Sequence, residues 1–335
     1  TLRPTGFASI GLTTIQGKNR KCTSILPPMN EQKPNIDALM SEAFALHAKG
    51  AIGRAEEIYR AILKQQRNHP MALHMLGVMH FQRGDTELGI RFVQRALTVQ
   101  PDFPDALTSL AGFHLHSGDP GEAMAVVQRA LSAHGDFMAG LQTLAKAQLR
   151  LKDYSGVLAT FKRLDALSPD HPGTLADWAA TLLRLGRFAE AEQKYAALIL
   201  LEPKNRDVRC FHAQTLKGLG RFDEALKELD EILSEYPDYL PALVHAGDAL
   251  QALGDTPGAI ARFRMAISIQ PDHAEAHFNL GVSLLTMGNY HEGWSEYAWR
   301  FRMEAYANFM PPAAAPIWAG EPLDGKSILI FAEQG

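Results

Sequence analysis

The chain has 335 residues, 46% hydrophobic and 21% charged, proportions that belong to a folded protein and exclude disorder over most of its length. A formal net charge of −4, with no Lys/Arg block interleaved with aromatics, gives no electrostatic reason to bind nucleic acid. Cys22 and Cys210 alone make neither a disulfide framework nor a zinc site, and no apolar run reaches the ~18 residues that span a bilayer, so the expectation is a reduced, cytoplasmic chain outside the membrane.

Residues 1–28 carry Arg3, Lys18, Arg20 and Lys21 and no Asp or Glu, a composition that resembles an organelle transit peptide. Met29 opens MNEQKPNIDALMSEAF, which runs straight into the first helical pattern. The expected natural start is therefore Met29, and residues 1–35 are expected to form a disordered N-terminal extension.

From Ile36 one pattern recurs, and residues 172–205 are its clearest copy: PGTLADWAATLLRLGRFAEAEQKYAALILLEPKN. Leu175, Trp178, Ala179 and Leu182 share one face of a first helix, and Ala191, Tyr195 and Leu198 share one face of a second. Gly186 supplies the left-handed residue that ends the first helix, and Pro203 stops the second. Steps of 34 residues from Gly186 reach Gly50, Gly84, Gly118, Lys152, Gly220, Gly254 and Gly288, so one position of eight departs from glycine. With glycine near ~7% of residues in general, chance is excluded. The same step through Ala43, Gly77, Ala111, Ala145, Ala179, Ala213, Gly247 and Gly281 never meets a residue larger than alanine, as two closely crossing helices require. At Lys152 the expectation is a tolerated turn helped by the following Asp153.

Period, small residues, aromatic position and proline together resemble the tetratricopeptide repeat. The resemblance covers residues 36–307 and implies an all-α, right-handed superhelix of about eight helix-turn-helix units, the eighth irregular in its second helix. It also implies a scaffold that binds a peptide or protein in a concave groove. In that family, positions 2, 5, 9, 12 and 13 of each first helix face the groove. Here these supply His74, Gln82, His116, Gln142, Lys146, Arg150, Arg184, Gln214, Lys217, Asp248 and Gln251. Lys146 and Arg150 lie one helical turn apart and Arg184 is one period beyond Arg150, so three cations are expected to cluster as a clamp for an acidic segment or carboxylate; the alternative is a solvated polar face. The Lys/Asn clamp of chaperone-binding repeats is missing. Of the positions that form an asparagine ladder in O-linked N-acetylglucosamine transferases (Ser41, Met75, Ser109, Thr143, Asp177, Phe211, His245 and Asn279), only Asn279 matches.

After Gly288 the character changes: NYHEGWSEYAWRFRMEAYANFMPP is rich in aromatics, and SILIFAEQG reads as a strand. Residues 308–335 are thus expected to form a linker and the first strand of an α/β domain, a β-containing stub. Gly293-Trp294, Tyr297, Trp299-Arg300, Trp318, Gly320, Leu323, Gly325-Lys326 and Glu333-Gln334-Gly335 are similar to the junction of bacterial proteins that fuse such repeats to a glycosyltransferase-like domain. That resemblance implies a second function, the substrate-recognition half of a glycosyltransferase. The aromatics around Trp294–Trp299 and the final strand would leave apolar surface and a sheet edge uncovered in a monomer, which suggests self-association.

No catalytic residue, cofactor site or metal site emerges. Gly320 to Ser327 fits G-x-x-x-x-G-K-[ST], but the motif precedes its strand and Pro322 removes a backbone donor, so a plain turn is expected. His114 and His116 point to different helix faces. His273 and His277 have ligand spacing but no third ligand.

Overall fold

A computed structural model describes residues 35–303 and Gly325; residues 1–34 and the stub of residues 308–335, with its expected strand, lie outside the described residues apart from Gly325. The described residues are helical with no strand, and they belong to two compact units divided between Arg67 and Asn68.

The first unit holds α1 (Ile36–Ala48) and α2 (Ile52–Gln65). Tyr59 of α2 is fully buried and meets Phe44 of α1 edge-on, with ring centroids 6.2 Å apart. The second unit alternates first helices with second helices. Its first helices are α3 (Pro70–Gln82), α5 (Pro104–Ser117), α7 (Met138–Arg150), α9 (Pro172–Arg184), α11 (Arg206–Gly218), α13 (Leu240–Ala252) and α15 (Ala274–Thr286). Its second helices are α4 (Thr86–Val99), α6 (Pro120–His134), α8 (Tyr154–Leu167), α10 (Phe188–Leu201), α12 (Phe222–Glu235), α14 (Thr256–Ile269) and α16 (Tyr290–Tyr297). The last is shorter than the others and passes into a 3-10 turn, Ala298–Arg302.

Each helix of the second unit packs on the next in sequence, and its apolar stripe explains why. Leu175, Ala179 and Leu182 of α9, with Ala191, Tyr195 and Leu198 of α10, are each 2% exposed or less and share one core with Phe161 and Val157 of α8. Burying such side chains contributes about 1.5–3 kcal/mol apiece.

The turn inside each hairpin is the same backbone device eight times. The glycine at the 34-residue position takes a positive φ, and the N–H after it returns to a carbonyl of the preceding helix: Arg187 to Leu182 at 2.9 Å, Asp119 to His114 at 2.9 Å, Asn289 to Leu284 at 2.9 Å. This is the Schellman closure, made from main-chain atoms alone. At the position without glycine, Lys152 itself adopts φ 58°, and Asp153 makes the same return bond to Gln148. The aspartate does not relieve the turn. It caps α8 instead, accepting from the Gly156 N–H at 3.0 Å, so the strain sits on the lysine. Left-handed backbone costs a side-chain-bearing residue about 1–2 kcal/mol, and the flexibility glycine adds to the unfolded chain returns roughly half of that. Lys152→Gly should therefore raise stability by about 0.5–1 kcal/mol in urea titration; an unchanged midpoint would show the turn to be unstrained.

Three of the first helices start on histidines spaced by multiples of the same period. His69, His171 and His273 each accept a backbone N–H through Nδ1, from Ala72 (3.2 Å), Thr174 (3.3 Å) and Ala276 (3.1 Å). These histidines are helix caps, a role the sequence reading did not give them.

Candidate functional site

Four of the eleven groove residues expected from sequence surround one open cavity of about 650 Å³: Arg184 on α9, Gln214 and Lys217 on α11, and Asp248 on α13. They meet because they occupy equivalent turns on first helices that are neighbours in the second unit. Lys217 sits three residues, about one helical turn, short of one period before Asp248. Its Nζ donates to Asp248 Oδ2 at 2.6 Å.

That contact belongs to a network. Asn279 of α15 donates to Asp248 Oδ1 at 2.9 Å, and His245 lies 3.7 Å from Oδ2. Burial alone would raise the Asp248 carboxyl, but the nearby His245 imidazole and the Lys217 ammonium outweigh it and hold its pKa below the ordinary carboxylate value. The Lys217 and Asp248 charges therefore satisfy each other and offer little net field to a ligand.

The apolar lining was missed from sequence. Leu183, Phe188, Tyr195, Phe211 and Phe222 border the cavity together with Gly218. Phe211 is 47% exposed, and its inner neighbour is the buried Tyr195 ring, stacked at 6.2 Å. Burial pushes the Tyr195 phenol up to about 12, and its hydroxyl has no hydrogen-bond partner among the described residues. Tyr154, Phe188 and Phe222 open three successive second helices at intervals of 34, a signal that was legible.

The cationic ridge is assembled only in part. Arg184 borders the cavity and stacks over the Tyr154 ring, 5.4 Å from its centroid, whereas Lys146 and Arg150 are exposed on α7 and do not border it. Neither Arg150 nor Arg184 has a carboxylate within 4 Å among the described residues. Lys146 faces Asp177, whose carboxyl is raised by desolvation and lowered again by that ammonium.

The remaining expectations fall apart from the cavity. His74 is 5% exposed, hydrogen-bonded to Ser109 Oγ at 2.9 Å and edge-on to Phe103, and desolvation lowers its pKa against the opposing charge of Asp105. It is a core residue, not a groove side chain. His116 packs edge-on against Phe81 at 5.1 Å. Gln82, Gln142 and Gln251 lie on α3, α7 and α13 without bordering the cavity. The spaced pair His273 and His277 is otherwise engaged: His273 caps α15, while His277 bonds Glu296 and the Pro271 carbonyl and stacks on Trp299. Cys210 is buried, and desolvation pushes its thiol up to about 12, so it stays protonated and inert at neutral pH.

A tetratricopeptide repeat model matches residues 80–149 and 182–251, and a second TPR repeat model matches residues 247–288, together more than half of the chain. The chain belongs to the tetratricopeptide repeat family. Solved structures agree on the fold. The C-terminal part of a TPR repeat-containing protein from Cytophaga hutchinsonii gives a TM-score of 0.60 at 11% identity, over 72% of this chain and 99% of that one. A tetratricopeptide repeat protein from Parabacteroides merdae gives 0.50 at 16% identity, over 74% and 98%. PilW, a widely conserved type IV pilus biogenesis factor, gives 0.55 at 16% identity, over 62% and 96%. No curated protein matches the sequence. Tetratricopeptide repeats generally mediate protein–protein interactions. No helix among the described residues is long and apolar enough to cross a membrane.

Proposed function

We propose that this tetratricopeptide repeat protein is a cytoplasmic scaffold that holds a peptide or protein segment against the first helices of its second unit. The observation that carries this reading is the convergence of Arg184, Gln214, Lys217 and Asp248 with the exposed Phe211 around one cavity. Apolar rings beside a few oriented polar groups are what a recognition site needs. The exposed Lys146 and Arg150 extend the surface towards an acidic segment of the partner. Each lost charge-assisted contact costs about 1.5–3 kcal/mol, so Arg150→Glu with Arg184→Glu should weaken partner binding by at least about 100-fold while the helical signal is unchanged. A photo-cross-linking residue at Gln142 or Gln251 should capture the partner in an extract of the source cells, and one at Lys227 on α12 should not. Equal capture at all three positions, or capture indifferent to the double charge reversal, would move the site elsewhere.

Two further readings rest on particular residues. Met287 at the end of α15 and Tyr290 and Trp294 on α16 are each more than half exposed, which favours docking of a second copy there. Light scattering should show mass rising with concentration and Trp294→Ser should suppress the rise; a constant monomer mass would remove this reading. The junction residues from Gly293 to Gly335 support the alternative of a substrate-recognition half of a glycosyltransferase, with residues 308–335 as the linker and β-containing start of the catalytic domain. In that case the same inner face would choose the protein substrate.

A further inference from the structure

We propose that the cavity beside Gly218 is a socket for one large apolar side chain of an extended peptide that carries an acidic residue on the α9 side and a basic residue on the α15 side. This rests on the scaffold reading above and names the class of ligand.

The socket forms where the long side chain that two preceding hairpins carry at one position gives way to none. Arg150, Arg184 and Gly218 are successive 34-residue equivalents, each the last residue of its first helix. Where the residue is Arg184, its guanidinium covers the Tyr154 ring; where it is Gly218, the Phe188 ring lies directly on the bare backbone. A Cβ built on Gly218 would sit 2.7 Å from Phe188 Cγ, so any side chain there must push the ring aside. The missing arginine leaves the space that Phe188, Phe211 and Phe222 border. Phe211 has the stacked Tyr195 ring on one side and is nearly half exposed, which suits an apolar or aromatic guest.

Charge sets the orientation. Lys217 and Asp248 are consumed by each other. Two charged side chains at the cavity remain: Arg184 on α9 and Glu275 on α15, neither with an opposite charge within 4 Å among the described residues. The complementary ligand is therefore dipolar. Arg184 and Glu275 border the same cavity as Phe211, so the acid and the base belong within a few residues of the apolar anchor, on opposite sides of it.

The test uses the full 335-residue chain as bait for a displayed library of random dodecapeptides, followed by fluorescence anisotropy with the synthetic consensus peptide. Enriched peptides should share the order acid, large apolar, base, read in either chain direction. Phe211→Ala should weaken the consensus peptide at least tenfold, and Gly218→Arg should do the same by refilling the socket. Glu275→Arg should remove the preference for the basic residue alone. Thermal melts accompany every variant, and Phe211→Ala, at an exposed position, keeps the test valid if Gly218→Arg does not fold. No enriched motif, a motif without the charge order, or a consensus peptide indifferent to Phe211→Ala overturns the socket. If Arg150→Glu with Arg184→Glu still weakens peptides that ignore Phe211→Ala, the scaffold reading stands and the socket alone falls; if neither variant matters, both fall.

Discussion

Phe263→Ala is expected to destabilise the C-terminal hairpins of the second unit by about 3–5 kcal/mol, the usual cost of removing a buried phenylalanine. The ring is fully buried and forms one cluster with Ile260, Leu280 and Leu284. It also lies on the glycine of the preceding helix: a Cβ at Gly247 would meet Phe263 Cζ at 2.7 Å. The ring therefore ties α13, α14 and α15 together, and no neighbouring backbone can collapse far enough to refill its space. Repeats couple mainly to their immediate neighbours, so the loss should appear as a split transition, with α13–α16 unfolding ahead of α3–α10. Hydrogen exchange followed by mass spectrometry would resolve the two phases. A single transition at the original midpoint would show that the ring does not hold these helices together.

The second large effect is expected at Gly281, where an added methyl group would strike main chain. A Cβ there falls 2.7 Å from Tyr297 Cα and 2.9 Å from Glu296 C, and it comes closer still to the Tyr297 N. Five equivalent positions, Ala43, Ala111, Ala145, Ala179 and Ala213, already hold that methyl group and are buried, so the repeat as such tolerates it. The last hairpin does not, because α16 crosses α15 more closely. Overpacking of this kind costs about 1–3 kcal/mol, and against backbone the upper end applies. Gly281→Ala should release α16 and the 3-10 turn, with a large change in Trp294 and Trp299 fluorescence. Ala179→Gly, the reverse change in a regular hairpin, should cost about 1 kcal/mol through helix propensity and leave tryptophan emission unshifted. Emission unchanged in Gly281→Ala would count against the close crossing.

The hairpins were legible because a single period governs backbone, core and turn together. Leu175, Trp178, Ala179, Leu182, Ala191, Tyr195 and Leu198 were placed on buried faces from spacing alone, and all are buried. The site was legible only by face. The family resemblance implies that Lys217 and Asp248 look inward; it does not say that their side chains span one helical turn and neutralise each other. Nor does it say that His74, at an inward position, reaches Ser109 instead of solvent. Phe188 escaped notice because it opens a second helix, a class of position outside the groove pattern. Gly218 escaped because its meaning is comparative: it matters only against Arg150 and Arg184. The three histidine caps stood at multiples of 34 in plain view, but His273 was weighed only for metal binding and His69 and His171 were passed over.

The eight turn closures use no side chain, only N–H groups returning to carbonyls. The side chains at the ends of the first helices therefore take no part in the turn closure itself. Evolution or design can rewrite such positions one at a time, as the exchange of arginine for glycine between successive hairpins illustrates, and alter what is recognised while the architecture persists.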